Sequence, residues 1–187
     1  MCSPVHSTEP NRHHMEPSLI TVRPLSAEDI PALIALRRTG LEQEPHSFGA
    51  SPEDDRTTRD PQYVERALLD PDQALLGAFA PELVGMVGIY RDHLLKAKHK
   101  AHIWGMYVSP EGRGKGTGKR LMEAALQWAE RQEGIIQVNL IVSAQTPVAQ
   151  NLYRSLGFTL WGTEPSALRI NGELVDDQHM VKTLSRK

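Results

Sequence analysis

The sequence predicts a mixed α/β fold in which helices cover a central β-sheet. Apolar runs rich in β-forming residues alternate with segments whose apolar residues recur at helical spacing. Three of these runs follow one another with short connections, which is typical of an antiparallel meander. A glycine-rich loop, a helix and a further apolar run come next, in the order of a parallel crossover. Together these patterns favour one sheet with both parallel and antiparallel pairing.

Chain length and composition indicate one folded unit. The chain has 187 residues, of which 40% are hydrophobic and 24% are charged. These values are ordinary for a domain with one core, so we expect residues 19–187 to form a single domain. Residues 1–18 are polar and contain proline, with almost nothing to bury, and we expect a disordered tail there.

Charge, cysteine content and hydropathy exclude several classes of protein. The formal net charge is −2, so no overall field favours nucleic acid as a partner. The one cysteine, Cys2, rules out a disulfide framework within the chain and a cysteine-based metal cluster, and we expect no metal site. The apolar runs stay far below the roughly 20 residues that span a membrane. Because the N-terminus also lacks an apolar signal segment, we expect a cytoplasmic protein without a membrane partner.

The first half of the chain predicts a short strand, two helices and the meander. Leu19–Pro24 is an apolar strand ended by proline. Ser26 suits the N-cap of a helix that runs to about Arg38, and Pro61–Leu69 predicts a second helix. Between these helices, Glu42–Arg56 is polar and irregular. The meander strands are predicted at Gln73–Ala80, Leu83–Asp92 and Ala101–Val108, and the glycines at positions 77, 85 and 88 should allow close packing.

The second half predicts two more helices and the remaining strands. One helix begins near Thr117 and carries Trp128 on its core side. Ile135–Val142 is strongly apolar, which predicts a central strand covered on both faces. Thr146 as N-cap and Gly157 as C-terminal glycine bound the next helix. The chain should end in a hairpin with its turn at Asn171–Gly172 and its last strand near Gln178–Leu184.

The loop before the Thr117 helix has the features of a phosphate-binding site. Its glycines allow backbone N–H groups to approach a ligand. The helix that follows points its unpaired N–H groups and the positive end of its dipole into the loop. The Walker pattern does not fit, because Gly118-Lys119 is followed by Arg120, and the Rossmann glycine spacing fails as well. The glycines are Gly114, Gly116 and Gly118, and the basic residues are Arg113, Lys115 and Lys119.

The spacing within this loop resembles that of a known family. Arg113-x-x-Gly116-x-Gly118 resembles the R/Q-x-x-G-x-G/A loop with which GNAT-type N-acetyltransferases hold the pyrophosphate of acetyl-CoA. The strand and the amphipathic helix on either side of the loop have the order found in that family. The resemblance therefore implies the GNAT fold, with a mixed central sheet of about six to seven strands flanked by about four helices.

A second motif extends the resemblance toward the C-terminus. Ala149-x-x-Leu152-Tyr153-x-x-x-Gly157-Phe158 resembles the family motif N-x-x-A-x-x-L-Y-x-x-x-G-F. Both motifs are in the expected order, so the resemblance covers roughly residues 19 to 184. It is specific for the superfamily and does not indicate which member this is.

The resemblance implies an enzyme that uses acetyl-CoA as co-substrate to acetylate a primary amine on a small molecule, an amino acid, a protein N-terminus or a lysine. Tyr153 is then the general acid for the leaving sulfur, and the N–H of Val108 is the donor to the carbonyl oxygen. The implied cofactor-binding residues are Met106, Tyr107 and Val108 along the pantetheine arm; Arg113, Gly114, Lys115, Gly116, Thr117, Gly118 and Lys119 around the pyrophosphate; and Thr146, where the family often has asparagine.

Several alternatives stay open on the sequence alone. The central strands carry no carboxylate, which leaves His102, Glu44, His46 or a water molecule as the general base. The protein could instead be a non-catalytic acetyl-CoA-binding sensor or scaffold. A nucleotide-binding protein is disfavoured, because no serine or threonine follows Gly118-Lys119. Dimers are common among GNAT proteins, so a homodimer is compatible with the resemblance, and no motif identifies the acceptor.

Overall fold

The computed structural model describes residues 19–184, so the predicted tail, with Cys2 inside it, lies outside the described residues. Within this part the chain forms a seven-stranded sheet with helices on both faces. The strands are β1 (Thr21–Pro24), β2 (Gln73–Phe79), β3 (Leu83–Arg91), β4 (Lys100–Val108), β5 (Gln137–Ser143), β6 (Thr159–Ile170) and β7 (Glu173–Thr183). The helices are α1 (Ile30–Gln43), α2 (Arg56–Arg59), α3 (Pro61–Leu69), α4 (Thr117–Arg131) and α5 (Pro147–Ser155), with 3-10 turns at Ala27–Asp29, Pro45–Ser47 and Pro110–Gly112.

The strand order in the sheet is β1-β2-β3-β4-β5-β7-β6, which confirms the predicted mixed α/β architecture. Every neighbouring pair is antiparallel except β4 and β5. The β2–β3–β4 meander and the β4–α4–β5 parallel crossover are therefore both confirmed. The β6–β7 turn is also confirmed, because Asn171 and Gly172 have φ angles of 51° and 87°, as a two-residue hairpin turn of type I′ requires.

The parallel pair β4–β5 holds together only at one end. Its register extends from Lys100 opposite Gln137 to His102 opposite Asn139, and then the two strands part. A bulge in β4 follows at Gly105, whose φ is 63°, where the register with β3 shifts. The bulge changes the direction of the side chains that follow it. The sheet therefore opens between β4 and β5 at its middle.

Two apolar clusters cover the two faces of the sheet. The α1-side cluster packs α1 and α3 against the meander, and the α4-side cluster packs α4 and α5 against β3, β4, β5 and β7. Because of the bulge, Tyr107 belongs to the α1-side cluster while Met106 and Val108 pack on the other one. Trp128 packs on the α4-side cluster, as expected for a core residue. The largest fully buried side chains include Leu33, Val64 and Met86 on the α1 side and Leu121, Met122 and Val138 on the α4 side.

The glycines of the meander allow close packing, as predicted. A Cβ atom on Gly88 would lie 2.2 Å from Trp104 Cε2, so the indole ring lies directly on the strand. A Cβ on Gly77 would lie 2.5 Å from Leu25 Cδ2. Both distances are too short for real contacts, so these positions accept only glycine unless their neighbours move.

Four predictions about the elements need correction. The first helix continues past Arg38 to Gln43, because Leu41 is buried and Gly40 allows Phe48 and Tyr107 to approach. Helix α2 was not predicted, because it is short and lies in a polar stretch. The Asp55 side chain caps this helix by accepting a hydrogen bond from Thr58 N. Strand β7 begins several residues before the predicted start, at Glu173. The fourth correction concerns Ile135–Val142: β5 is covered on one face only, and Ile141 is 59% exposed because β4 has diverged from it.

Thr146 stands at the N-cap position of α5, as predicted, but its side chain does not cap the helix. Its hydroxyl instead donates a hydrogen bond to Ser143 O over 2.9 Å. The expected capping role of this hydroxyl is therefore wrong. At the other end of the helix the prediction is confirmed, because Gly157 has a φ of 87° and reverses the chain toward Phe158.

Candidate active site

A cleft of about 1400 Å³ follows the opening between β4 and β5. It extends from the glycine loop before α4, past the end of α5, to the loop after α1. The cleft brings together nearly all of the predicted site residues, and Lys115 alone does not border it. The residues that do are Met106, Tyr107, Val108, Arg113, Gly114, Gly116, Thr117, Gly118, Lys119, Thr146 and Tyr153.

The glycine loop is open toward the cleft. Gly114 and Gly116 have φ angles of 73° and 74°, and a Cβ atom on either would meet nothing within 4 Å. The backbone N–H groups from Gly114 to Lys119 donate to no other described residue, since the first α4 bond runs from Arg120 N to Gly116 O. The Thr117 hydroxyl donates a hydrogen bond to Gly112 O over 2.6 Å, which connects the start of α4 to the residue before Arg113. Free N–H groups at the start of a helix can bind an anion such as phosphate.

Arg113 has a different environment from the two lysines of the loop. Its Nη2 donates to Glu44 Oε1 over 2.8 Å, and its Nε donates to Val108 O over 3.0 Å. These bonds link the glycine loop to the end of α1 across the mouth of the cleft. Glu44 is therefore engaged in an ion pair, which weakens it as a candidate base. Lys115 and Lys119 are exposed beside the loop.

Tyr153 is buried, with 6% of its surface exposed, and borders the cleft from α5. Its ring packs against Phe158 with the ring centroids 6.1 Å apart. Phe158 reaches this position because the chain turns at Gly157. Burial raises the pKa of the Tyr153 hydroxyl to about 12. The hydroxyl therefore remains protonated and can donate a hydrogen bond throughout the physiological pH range.

His102 borders the same cleft from β4. Its Nε2 lies 3.2 Å from Asp92 Oδ2, and its ring stacks on Tyr90 with the centroids 5.1 Å apart. A hydrogen bond from the Leu94 N–H, together with His102, holds the pKa of Asp92 below its usual range. Because an ionised carboxylate only accepts hydrogen bonds, Nε2 carries the hydrogen, and Nδ1 is left as the basic nitrogen.

His46, another candidate base, lies in the 3-10 turn after α1. This turn packs against β5 and so lies across the opening in the sheet. His46 borders the cleft, and its Nδ1 is buried without a hydrogen-bond partner. The structure thus brings Glu44, His46 and His102 to one cleft, and only His102 is paired with a carboxylate.

The family model for the acetyltransferase (GNAT) family matches residues 36–158, which is about two thirds of the chain. This chain belongs to the GNAT acetyltransferase family. The matched segment contains the glycine loop, both of its flanking strands and the Tyr153 motif.

Curated relatives of this GNAT chain include acetyltransferases of two kinds. It is 31% identical over 155 residues to a mycothiol acetyltransferase of Thermobispora bispora, covering 74% of this chain and 50% of that protein. It is 32% identical over 105 residues to a streptothricin acetyltransferase of Escherichia coli, covering 54% of this chain and 56% of that protein. The chain therefore spans about half or less of the length of the curated relatives it matches.

Solved structures share the GNAT fold over the whole described domain. A GNAT-family acetyltransferase from Streptococcus pneumoniae superposes with a TM-score of 0.78 at 22% identity, covering 89% of this chain and all of that one. A phosphinothricin acetyltransferase from Sinorhizobium meliloti, determined in complex with acetyl-CoA, gives a TM-score of 0.77 at 20% identity, with 88% of each chain covered. Among residues 19–184, no helix is long and apolar enough to cross a membrane.

One buried ion pair, whose arginine borders this GNAT cleft, was missed by sequence reasoning. Arg37 on α1 is 5% exposed, and its Nε and Nη2 donate to Asp55 Oδ2 over 3.0 and 2.6 Å. Arg37 lies between Leu33 and Leu41 on the apolar stripe of α1, each one helical turn away. A charged residue within an apolar stripe was the available signal, because such a charge needs a buried partner. Asp55 is 18 residues away, and its contact depends on the fold.

Proposed function

We propose that this protein transfers an acetyl group from acetyl-CoA to a primary amine. One observation carries the proposal: a single cleft bordered by the open glycine loop, the gap between β4 and β5, and the buried residue Tyr153. Binding a thioester that carries a diphosphate requires a site for the anion and a gap with free strand edges. Cleaving the thioester requires a buried hydrogen-bond donor. Membership of the GNAT family and the acetyltransferase names of its relatives support the same reaction.

Binding of acetyl-CoA would use the main chain. The N–H groups from Gly114 to Lys119 would receive the pyrophosphate, and Lys119 would add charge. The pantetheine arm would lie along Met106–Val108, where β4 has lost its partner β5 and can pair with an extended ligand. A backbone N–H there, that of Val108, would donate to the thioester carbonyl oxygen, where one oriented donor contributes about 3 kcal/mol to transition-state stabilisation.

In the chemical step the amine nitrogen attacks the thioester carbon, the C–S bond breaks, and the sulfur leaves with the bonding electron pair. Tyr153 stabilises the departing sulfur with a hydrogen bond. Complete proton transfer from Tyr153 to the sulfur is uphill, because the pKa of a thiol is about 8.5 and that of Tyr153 is about 12. The amine gives its proton to the general base, which passes a proton through solvent to the thiolate, and Tyr153 acts as a donor that stays protonated.

His102 is the general base we propose among the four candidates. Its Nδ1 is the basic nitrogen, and Asp92 and Tyr90 fix the ring from two sides. A carboxylate behind the imidazole stabilises the imidazolium formed when the amine loses its proton. Glu44 is paired with Arg113, and the Asp92–His102 arrangement has no counterpart at His46. The acceptor we propose is a primary amine, and relatives of this chain are named mycothiol acetyltransferase and streptothricin acetyltransferase.

A free-thiol assay with acetyl-CoA and a panel of primary amines tests this function. We expect release of CoA that depends on the amine. Tyr153→Phe should lower kcat about 100-fold without changing the KM for acetyl-CoA, because it removes one hydrogen-bond donor to the leaving sulfur. Tyr63→Phe on α3, outside the cleft, is the matched control and should keep full activity.

Two results would point elsewhere. If acetyl-CoA raises the Tm but no amine in the panel yields free thiol, the protein is an acetyl-CoA-binding sensor. If ATP with magnesium raises the Tm and acetyl-CoA does not, the glycine loop binds a nucleotide.

A further inference from the structure

The Arg37 guanidinium has one nitrogen without a protein partner. Nε and Nη2 both donate to Asp55, but Nη1 is buried and bonds to none of the described residues. The rings of Phe48 and Trp104 lie 4.9 and 5.4 Å from its Cζ atom. An unpaired buried N–H of a charged group is costly, so it usually has a partner that enters with a ligand or a water molecule.

Nη1 faces the bulge in β4. A Cβ atom on Gly105 would lie 2.8 Å from Nη1, so the guanidinium can approach the strand this closely only because position 105 has no side chain. Arg37 and Gly105 both border the cleft. Gly105 directly precedes Met106, where the proposed pantetheine site begins. The free edge of the guanidinium is thus next to the end of the proposed pantetheine site.

Two more unpaired polar atoms belong to the same region. Tyr107 Oη and His46 Nδ1 are buried without hydrogen-bond partners, and both residues border the cleft. The Tyr107 ring lies 6.0 Å from that of Phe48, beside Arg37. Among residues 19–184, half of the six unpaired buried side-chain polar atoms therefore lie on this wall. We call it the acceptor wall; it consists of Arg37, His46, Phe48, Trp104 and Tyr107.

We propose that Arg37 Nη1 donates a hydrogen bond to a carbonyl or carboxylate oxygen adjacent to the amine that is acetylated. This inference rests on the proposed function and specifies its substrate class. Amino acids and aminoacyl compounds are preferred over simple alkylamines. Asp55 already balances the charge of Arg37, so a neutral carbonyl oxygen fits the site as well as a carboxylate does. Arg37 acts as a specificity-determining residue of the acceptor site.

Three matched acceptors test the proposal: alanine, alaninamide and ethylamine, which differ in the group next to the amine-bearing carbon. Each is assayed with the wild-type protein and with Arg37→Lys, whose ammonium can still pair with Asp55 but has no second nitrogen to replace Nη1. We expect Arg37→Lys to lower kcat/KM about tenfold or more for alaninamide and alanine. For ethylamine, kcat/KM should be the same in both proteins. Each acceptor is compared with itself in the two proteins, so the different basicities of the three amines do not affect the result.

The matched control is Arg38→Lys, the same substitution at the exposed neighbouring position, which should leave all three acceptors unaffected. If only alanine depends on Arg37, the recognised group is a carboxylate. If Arg37→Lys lowers kcat/KM for both alanine and alaninamide, the recognised group is the carbonyl oxygen. An equal loss for all three acceptors would mean that Arg37 only supports the loop through Asp55, and it would overturn the proposal.

A binding measurement covers the case in which Arg37→Lys does not fold. Calorimetry of the wild-type protein with CoA should show N-acetylalaninamide binding about tenfold tighter than N-ethylacetamide, and equal binding would overturn the proposal. Failure of every amine to react contradicts the proposed function instead. In that case, tighter binding of alaninamide than of ethylamine would still support the oxygen site at Arg37.

Discussion

Single residues in the cleft have properties that depend on burial. Tyr153 is the main example, since its pKa is raised to about 12 by desolvation alone. The protonated form is the functional form of a donor, and it is lost only as the pH rises through the raised pKa. Burial thus extends the pH range of Tyr153 upward from the ordinary tyrosine value of about 10.

This shift predicts the alkaline part of the pH–rate profile. Between about pH 8 and about pH 10, kcat at saturating amine should show a plateau, because Tyr153 remains protonated throughout. The measurement is steady-state turnover across that range, with unfolding followed in parallel by circular dichroism. A fall in kcat with an apparent pKa near 10 in a folded protein would contradict the role of Tyr153 or its burial.

Recognition from sequence succeeded where a residue's role depends on its near neighbours. Gly157 was predicted correctly as a helix end, because left-handed backbone after a helix is a local requirement. Roles that depend on distant partners were not predictable. Asp92 behind His102 and Asp55 beside Arg37 become visible only when the strands and helices have assembled.

At the scale of elements, the glycine loop combines backbone shape with function. Gly116 precedes the first residue of α4 and has left-handed geometry, which costs other residues roughly 1–2 kcal/mol. Gly116→Ala should therefore lower the free energy of unfolding by about 1 kcal/mol and raise the KM for acetyl-CoA, since the loop must shift.

Urea unfolding and steady-state kinetics measure these two effects of Gly116→Ala. Gly162→Ala serves as the control, because a Cβ there meets nothing within 4 Å and its backbone is not left-handed. If both variants behave alike, the left-handed turn is not needed for cofactor binding.

A second element-scale feature joins β1 to the start of α1. The Asp29 carboxylate accepts from Arg23 Nη1 and Nη2 over 2.7 and 2.8 Å, and from Ser26 N over 2.8 Å. The bond from Arg23, then those from Ser26, hold the pKa of Asp29 well below its usual range. A lowered pKa in the folded state stabilises the protein above the unfolded value of about 3.9, and this contribution disappears as the pH falls below it.

Asp29→Asn should consequently destabilise the protein by about 1 kcal/mol at neutral pH, because it removes the charge from a turn-capping group. The difference from wild type should shrink as the pH falls from about 4 toward about 2. Urea unfolding at several pH values measures this, with Asp176→Asn on the hairpin as an exposed control. A difference that stays constant over this range would show that the charge of Asp29 is not the cause.

Strand β5 shows that the apolar pattern of one strand does not predict whether both of its faces are covered. An unbroken apolar run ordinarily indicates a strand covered on both faces, but Ile141 is exposed to the cleft. The exposure accompanies the divergence of β4 from β5 after His102, which cannot be seen in the sequence of β5. The helices α4 and α5 were predictable almost to their ends, because their apolar spacing and terminal glycines are local.

For the whole molecule, the fold class and several strand pairings could be inferred because the meander, the crossover and the final hairpin are consecutive in the chain. The place of β7 between β5 and β6 could not be inferred, because β5 and β7 are far apart in the chain. The cleft could not be outlined, since it is formed by the 3-10 turn after α1, the middle of the sheet and the end of α5. Its walls belong to both apolar clusters, so a ligand in the cleft should stabilise both sides of the molecule.

Acetyl-CoA at about 100 times its Kd should raise the free energy of unfolding by about 2.7 kcal/mol. Hydrogen exchange should slow in the loop from Gly114 to Lys119, in the second half of β4 and in the second half of β5 together. ATP with magnesium at the same concentration is the control and should have no effect. Protection restricted to the loop would mean that the ligand does not enter the gap.

The short parallel contact between β4 and β5 has a mechanical consequence. Only the residues from Lys100 to His102 and their partners join the two parts of the described sheet by strand pairing. Under a pulling force this seam should tear first, because few backbone bonds share the load there. A ligand that lies along both strand edges would hold them together. The force needed to unfold a single stretched molecule should therefore be higher when the cleft is occupied.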